Sequence, residues 1–127
     1  MAWVWLVVLG VCAHMVYLAA MVGKARGTYN VQAPAMTGDE MFERHNRVHQ
    51  NSVEQAVVFF PLLAACAWTG ATTVAAILGA VYLIGRVLYA QGYVTEPSQR
   101  GKGMMIGFLA QVVLFLVALF NVIASMF

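Results

Sequence analysis

One stretch of this chain, FERHNRVHQNSVEQAVVFFPLL at residues 42–63, carries groups that could do chemistry. Arg44, Arg47, Asn51 and Glu54 follow one another by three, four and three residues, a spacing that places them on one face of a helix. A second set, Tyr82, Arg86, Tyr89 and Tyr93, is spaced by four, three and four. Arg26 and Arg100 stand in the polar stretches next to these sets. Guanidinium forks interspersed with amides and phenols suit a small polar anion bearing several carboxylates or phosphates. Both sets run into apolar sequence, so Glu54 and Arg86 lie where a charge costs roughly 2.5–3.5 kcal/mol on insertion scales. Such charges face a bundle interior or a wet cavity and have partners. A Glu54–Arg86 ion pair between antiparallel helices is therefore expected.

The elements that must position these residues follow from composition. Apolar residues make up 62% and charged residues 9% of the 127, against about 25% charged in a soluble domain. The mean hydropathy is +0.79. The bilayer must be the main solvent, with membrane lipids as neighbours. A net charge of +2 gives no case for nucleic acid. Four runs, at about 2–22, 43–68, 73–94 and 104–127, reach the roughly 20 residues needed to cross ~30 Å of hydrocarbon. The sequence predicts an all-α membrane protein, one domain over 1–127 folded as a four-helix bundle. The first run lacks a basic leader and is too long for a signal peptide, so it is expected to be a retained helix.

Lys24, Arg26, Arg100 and Lys102 fall in the first and third connections, and WTGATT between the second and third spans has no charge. The positive-inside rule then puts connections one and three in the cytoplasm and both termini on the other side. A hollow at the cytoplasmic end could admit a water-soluble anion from the cytosol and an apolar compound sideways from lipid. Cys12 and Cys66 lie in apolar runs outside any CxxC pattern and read as small hydrophobes. His45 and His49, four apart, have no Cys or further close His to complete a metal site, and no metal is expected. His14 reads as a packed interior residue. Gly103 and Gly107 form a GxxxG that permits close helix contact, and Pro61 is expected to kink the second span.

The segment FERHNRVHQNSVEQAVVFFP resembles the signature of the MAPEG family, membrane-associated proteins in eicosanoid and glutathione metabolism. The pattern E-R-x-x-R-x-x-x-N-x-x-E is met at Glu43, Arg44, Arg47, Asn51 and Glu54. GRVLYAQGY, residues 85–93, is similar to the arginine–tyrosine stretch of the family's microsomal glutathione transferase and leukotriene C synthase-like branch. A compact, bacterial-type member of that branch is the expectation.

The resemblance implies a homotrimer with sites between protomers near the cytoplasmic face, in a bacterial inner membrane or its equivalent. It implies glutathione as co-substrate, conjugated to lipophilic electrophiles in detoxification, with peroxidase activity as a further outcome. Arg47, Asn51 and Glu54 match glutathione-contacting positions of the second helix, Arg86, Tyr89 and Tyr93 those of the third, and Arg26 an arginine at the cytoplasmic mouth. Arg100, seven residues after Tyr93, matches the catalytic arginine held to stabilise the thiolate. Lys102 is a second candidate for that contact. Position 55 is Gln where the leukotriene synthase has Tyr, which leaves the electrophile open. Two other classes compete: a non-enzymatic lipid-binding member resembling five-lipoxygenase-activating protein, and a small drug–proton antiporter, which would need the first-span carboxylate that this chain lacks.

Overall fold

A computed structural model describes all residues, 1–127. Four long helices follow one another: α1 Ala2–Tyr29, α2 Glu40–Trp68, α3 Thr72–Thr95 and α4 Gly101–Ala124, the last entered through a 3₁₀ turn at Pro97–Arg100. All four are long and apolar enough to cross a membrane. The chain is thus an all-α, multi-pass membrane protein by the length and composition of its helices.

Capping, rather than the end of an apolar run, sets the helix boundaries at the first connection. α1 continues seven residues past the expected 22, through Lys24 and Arg26, and stops where Asn30 turns left-handed at φ 56°. α2 begins three residues earlier than expected, because the Asp39 carboxylate accepts the Phe42 N–H at 3.0 Å. Glu40 and Glu43 in that first turn add favourable charge at the positive helix end. α4 likewise begins at Gly101 rather than 104 and ends at Ala124. α2 passes through Pro61 as one uninterrupted helix.

α2 and α3 each pack against all the other helices, whereas α1 and α4 make no comparable contact with each other. The main core lies in the half that holds both termini. There Val4, Val7 and Val11 of α1 meet Phe59 and Leu63 of α2, Tyr82 of α3 and Leu114 of α4. Phe59 and Tyr82 stack with ring centroids 3.7 Å apart. Trp3, Trp5 and Trp68 are exposed at that end, as in an interfacial aromatic belt.

The first and third connections share the opposite end. Arg44 Nη1 donates to the carbonyls of Val94 and Thr95, each at 3.1 Å, and Nη2 pairs with Glu40. These bonds fix the start of α2 level with the end of α3. Glycine sets the closest helix contact. A Cβ on Gly85 would lie 2.7 Å from the Gly107 nitrogen, and one on Gly103 would meet the Tyr89 backbone. The GxxxG of α4 therefore packs directly onto α3, as small residues allow within a bilayer.

Candidate functional site

The level at which Arg44 meets Thr95 gives a common zero for depth. From it, helical rise puts Asn51 about 10 Å down α2 and Glu54 about 15 Å down. Arg86 lies about 14 Å down α3 from Thr95, and Gln111 lies about two turns past Gly103, which packs between Gly85 and Tyr89. Asn51, Glu54 and Arg86 thus lie within about one turn of each other, inside the membrane-crossing length, with Gln111 deeper in the bundle.

Arg86 is the centre of this layer. It is 4% exposed and its guanidinium lies 4.4 Å from the centroid of the Tyr89 ring. Its Nε and Nη2 have no hydrogen-bond partner, and neither does Asn51 Oδ1. A buried polar atom left unpaired costs about 1–3 kcal/mol, so native proteins seldom leave one without a reason. Asn51 and Arg86 both line one cavity of about 430 Å³ between α2, α3 and α4. That size lies within the range of small-molecule sites. Gln55 and Gln111 line it too, as do Met104, Met105 and Phe108 of α4. Tyr93 continues the aromatic wall from Tyr89, with centroids 5.8 Å apart.

The expected Glu54–Arg86 pair does not form. Glu54 instead accepts from Arg47 Nη1 at 3.2 Å, and both side chains are about half exposed, at 57% and 47%. The reason is rotational. Asn51 and Ser52 hold the face of α2 that turns inward, and Arg47 and Glu54 lie on the flank beside it. The polar stripe of α2 is therefore split: Asn51 faces the cavity shared with Arg86, and the Arg47–Glu54 pair faces outward.

The remaining cations occupy the end of the bundle. Arg26 is tied to the first connection, where its Nη1 donates to the Ala35 carbonyl at 2.7 Å. Its guanidinium also lies 4.6 Å from the Phe42 ring centroid. It braces the chain between α1 and α2, a task that its place after the first span did not suggest. Arg100 is exposed, and its single side-chain hydrogen bond runs from Nη1 to the Pro97 carbonyl at 2.8 Å. Lys102 is exposed two residues further on. His14, expected in the interior, is half-buried and lines a separate hollow with His45 and Tyr17.

Sequence reasoning passed over Gln111 and gave Gln55 no role. The two form a hydrogen bond, Gln111 Nε2 to Gln55 Oε1, at 2.8 Å. The signal was present, because Gln111 is the one strongly polar side chain between Lys102 and Asn121, and an amide in mid-span needs a partner.

The profile of the MAPEG family matches residues 3–120. The chain is 42% identical over 121 residues to an uncharacterized protein of Synechocystis, covering 94% of this chain and 88% of that one. It is 42% identical over 96 residues to human microsomal glutathione S-transferase 2, covering 74% and 65% of the two chains. It is 36% identical over 88 residues to bovine leukotriene C4 synthase, covering 66% and 56%. The match thus spans less than two thirds of the length of these two mammalian relatives.

Proposed function

The chain belongs to the MAPEG family, and from that premise we propose that it is a membrane glutathione transferase of the microsomal transferase and leukotriene synthase type. In this reading it assembles as a homotrimer and conjugates glutathione to lipophilic electrophiles. The observation that carries the proposal is the split polar layer. Arg86 and Asn51, which carry buried unpaired polar atoms, line one cavity, while Glu54 lies outward at a depth comparable to Arg86 and is paired with Arg47, two turns nearer the helix start. An ion pair facing lipid there would be costly. A neighbouring protomer packed on this flank of α2 removes that cost and turns the open cavity into an enclosed site between chains.

Each residue then has a physical task. Arg86, with two unpaired donor nitrogens, suits a carboxylate or peptide carbonyl, and Asn51 Oδ1 suits a peptide N–H. Arg47 serves as a carboxylate anchor, and Glu54 as partner to the ligand's ammonium group. The phenols of Tyr89 and Tyr93 complete the wall. Arg26 lies at the mouth, where the carbonyls of the first connection hold it. Arg100 is free apart from one carbonyl, so its guanidinium can reach the sulfur of a bound thiol. A free thiol ionises near pH 8.5, and an adjacent cation increases the thiolate fraction at neutral pH. Lys102 is the alternative cation for that step. Basic residues gather at this end of the bundle, which supports a site on the cytoplasmic side with both termini opposite, in a bacterial inner membrane or its equivalent.

The test is conjugation of glutathione to 1-chloro-2,4-dinitrobenzene by purified protein, beside the variant Arg100→Ala. The variant should still bind glutathione but lose most turnover and the thiolate absorbance in the ultraviolet. Equal rates would remove Arg100 from the mechanism and leave Lys102 or Arg26. Absence of any thiolate signal in the wild-type protein would favour the lipid-binding reading.

A further inference from the structure

The cavity holding Arg86 has two chemically different ends. Toward Arg86 and Asn51 it is polar, and along α4 it is walled by Met104, Met105 and Phe108. The Gln55–Gln111 amide pair lines the same cavity, on its deeper side. The bond between the two amides is the only hydrogen bond either side chain makes. Each carboxamide has two N–H donors and one carbonyl. One mutual bond uses one N–H and one oxygen, leaving three N–H donors and one carbonyl, whichever way the pair is oriented. Gln111 is 7% exposed and Gln55 is half-buried, and both line the cavity, so the free amide groups are open to a molecule that enters it. A helix–helix clasp needs the one bond. It does not need spare donors beside an apolar wall and next to Arg86, whose own donors are unpaired.

We propose that Gln55 and Gln111 set the specificity of the apolar compartment, by donating hydrogen bonds to the oxygen of an electrophile that carries a conjugated carbonyl on an alkyl chain. This rests on the transferase reading above. The methionines and Phe108 take the alkyl chain, and the amide N–H groups take the oxygen. When the sulfur adds to the β-carbon, the alkene electron pair moves toward that oxygen as an enolate. The α-carbon then takes a proton from water, which balances the one the thiol lost on ionising. The amide donors point to where negative charge grows, the placement that most favours a transition state. An aryl halide develops its charge on a ring and its substituents, and gains less from donors at this position.

Two measurements on the full-length protein test the proposal. The first compares kcat/KM for trans-2-nonenal with that for 1-chloro-2,4-dinitrobenzene in the wild-type protein, Gln55→Met and Gln111→Leu. The ratio should fall at least tenfold in each variant. The second needs no glutathione: the infrared carbonyl stretch of ¹³C-labelled 2-nonanone bound to the protein. It should move to lower wavenumber in the wild type, and each variant should abolish the displacement. Gln55→Met keeps side-chain length and serves where Gln111→Leu does not fold. An unchanged rate ratio, or an undisplaced carbonyl stretch in the wild type, overturns the proposal and reduces the amide pair to a clasp between α2 and α4. A displaced stretch in a protein that consumes no glutathione sustains the carbonyl site and sinks the transferase reading instead.

Discussion

Replacing Arg86 by Met separates a ligand-binding arginine from a structural one, because the two roles predict opposite changes in stability. In the ligand-free protein the buried Nε and Nη2 have no partners. Each unpaired group costs about 1–3 kcal/mol, and the stacking on Tyr89 at 4.4 Å returns about 2 kcal/mol. The guanidinium therefore contributes between about 0 and −4 kcal/mol to the empty bundle. Met keeps the apolar stem and removes the cation, so the empty variant should be as stable as the wild type or more so. Binding should suffer. Loss of a charge-assisted hydrogen bond costs about 1.5–3 kcal/mol, or about 10- to 150-fold in Kd. At glutathione a hundred times above the wild-type Kd, ligand stabilises the wild type by about 2.7 kcal/mol. A variant with hundredfold weaker affinity gains about 0.4 kcal/mol from the same concentration. Thermal unfolding in detergent, with and without glutathione, reads both quantities. A variant that is less stable when empty, yet keeps the full ligand shift, would refute the assignment and make Arg86 a structural residue.

Other perturbations have equally definite outcomes. Gly103→Val should destabilise the protein by about 1–3 kcal/mol or prevent folding, since the added carbons meet the Tyr89 backbone; thermal unfolding checks it. Arg44→Ala should free the end of α3 by removing two bonds to its last carbonyls, with faster amide hydrogen exchange around residues 92–100 and a cost of about 1–3 kcal/mol. Arg100→Ala should leave unfolding within about 0.5 kcal/mol of wild type, because the side chain is exposed and makes one local bond, so any loss of turnover is chemical. Asp39→Ala should cost about 1 kcal/mol by uncapping α2, seen as a lower denaturation midpoint.

The sequence revealed the class of the fold and the identity of most polar residues in the layer, for a physical reason. Hydrocarbon forbids charge unless something pairs or encloses it, so Arg86 and Glu54 announced themselves. Their partners were another matter. Residues spaced by three and four share a helix face, but the stripe they define is wider than one contact. Asn51 falls on the inner edge of the stripe, and Arg47 and Glu54 fall on its outer edge, a difference of helix rotation that spacing alone does not resolve. Helix ends were misjudged at the first connection because hydropathy fades before the helix does. Asn30 and Asp39 end and begin helices through backbone geometry that composition does not report. The Gln55–Gln111 bond joins residues 56 apart in the chain. Only the packing of α2 against α4 brings them together.

The central claim is that glutathione binds a site completed between protomers. Native mass spectrometry of the detergent-released protein with glutathione tests it most directly. The account predicts a three-chain assembly that binds up to three glutathione molecules, with none on single chains. A monomer that binds glutathione, or a trimer that binds none at saturating concentration, would contradict it.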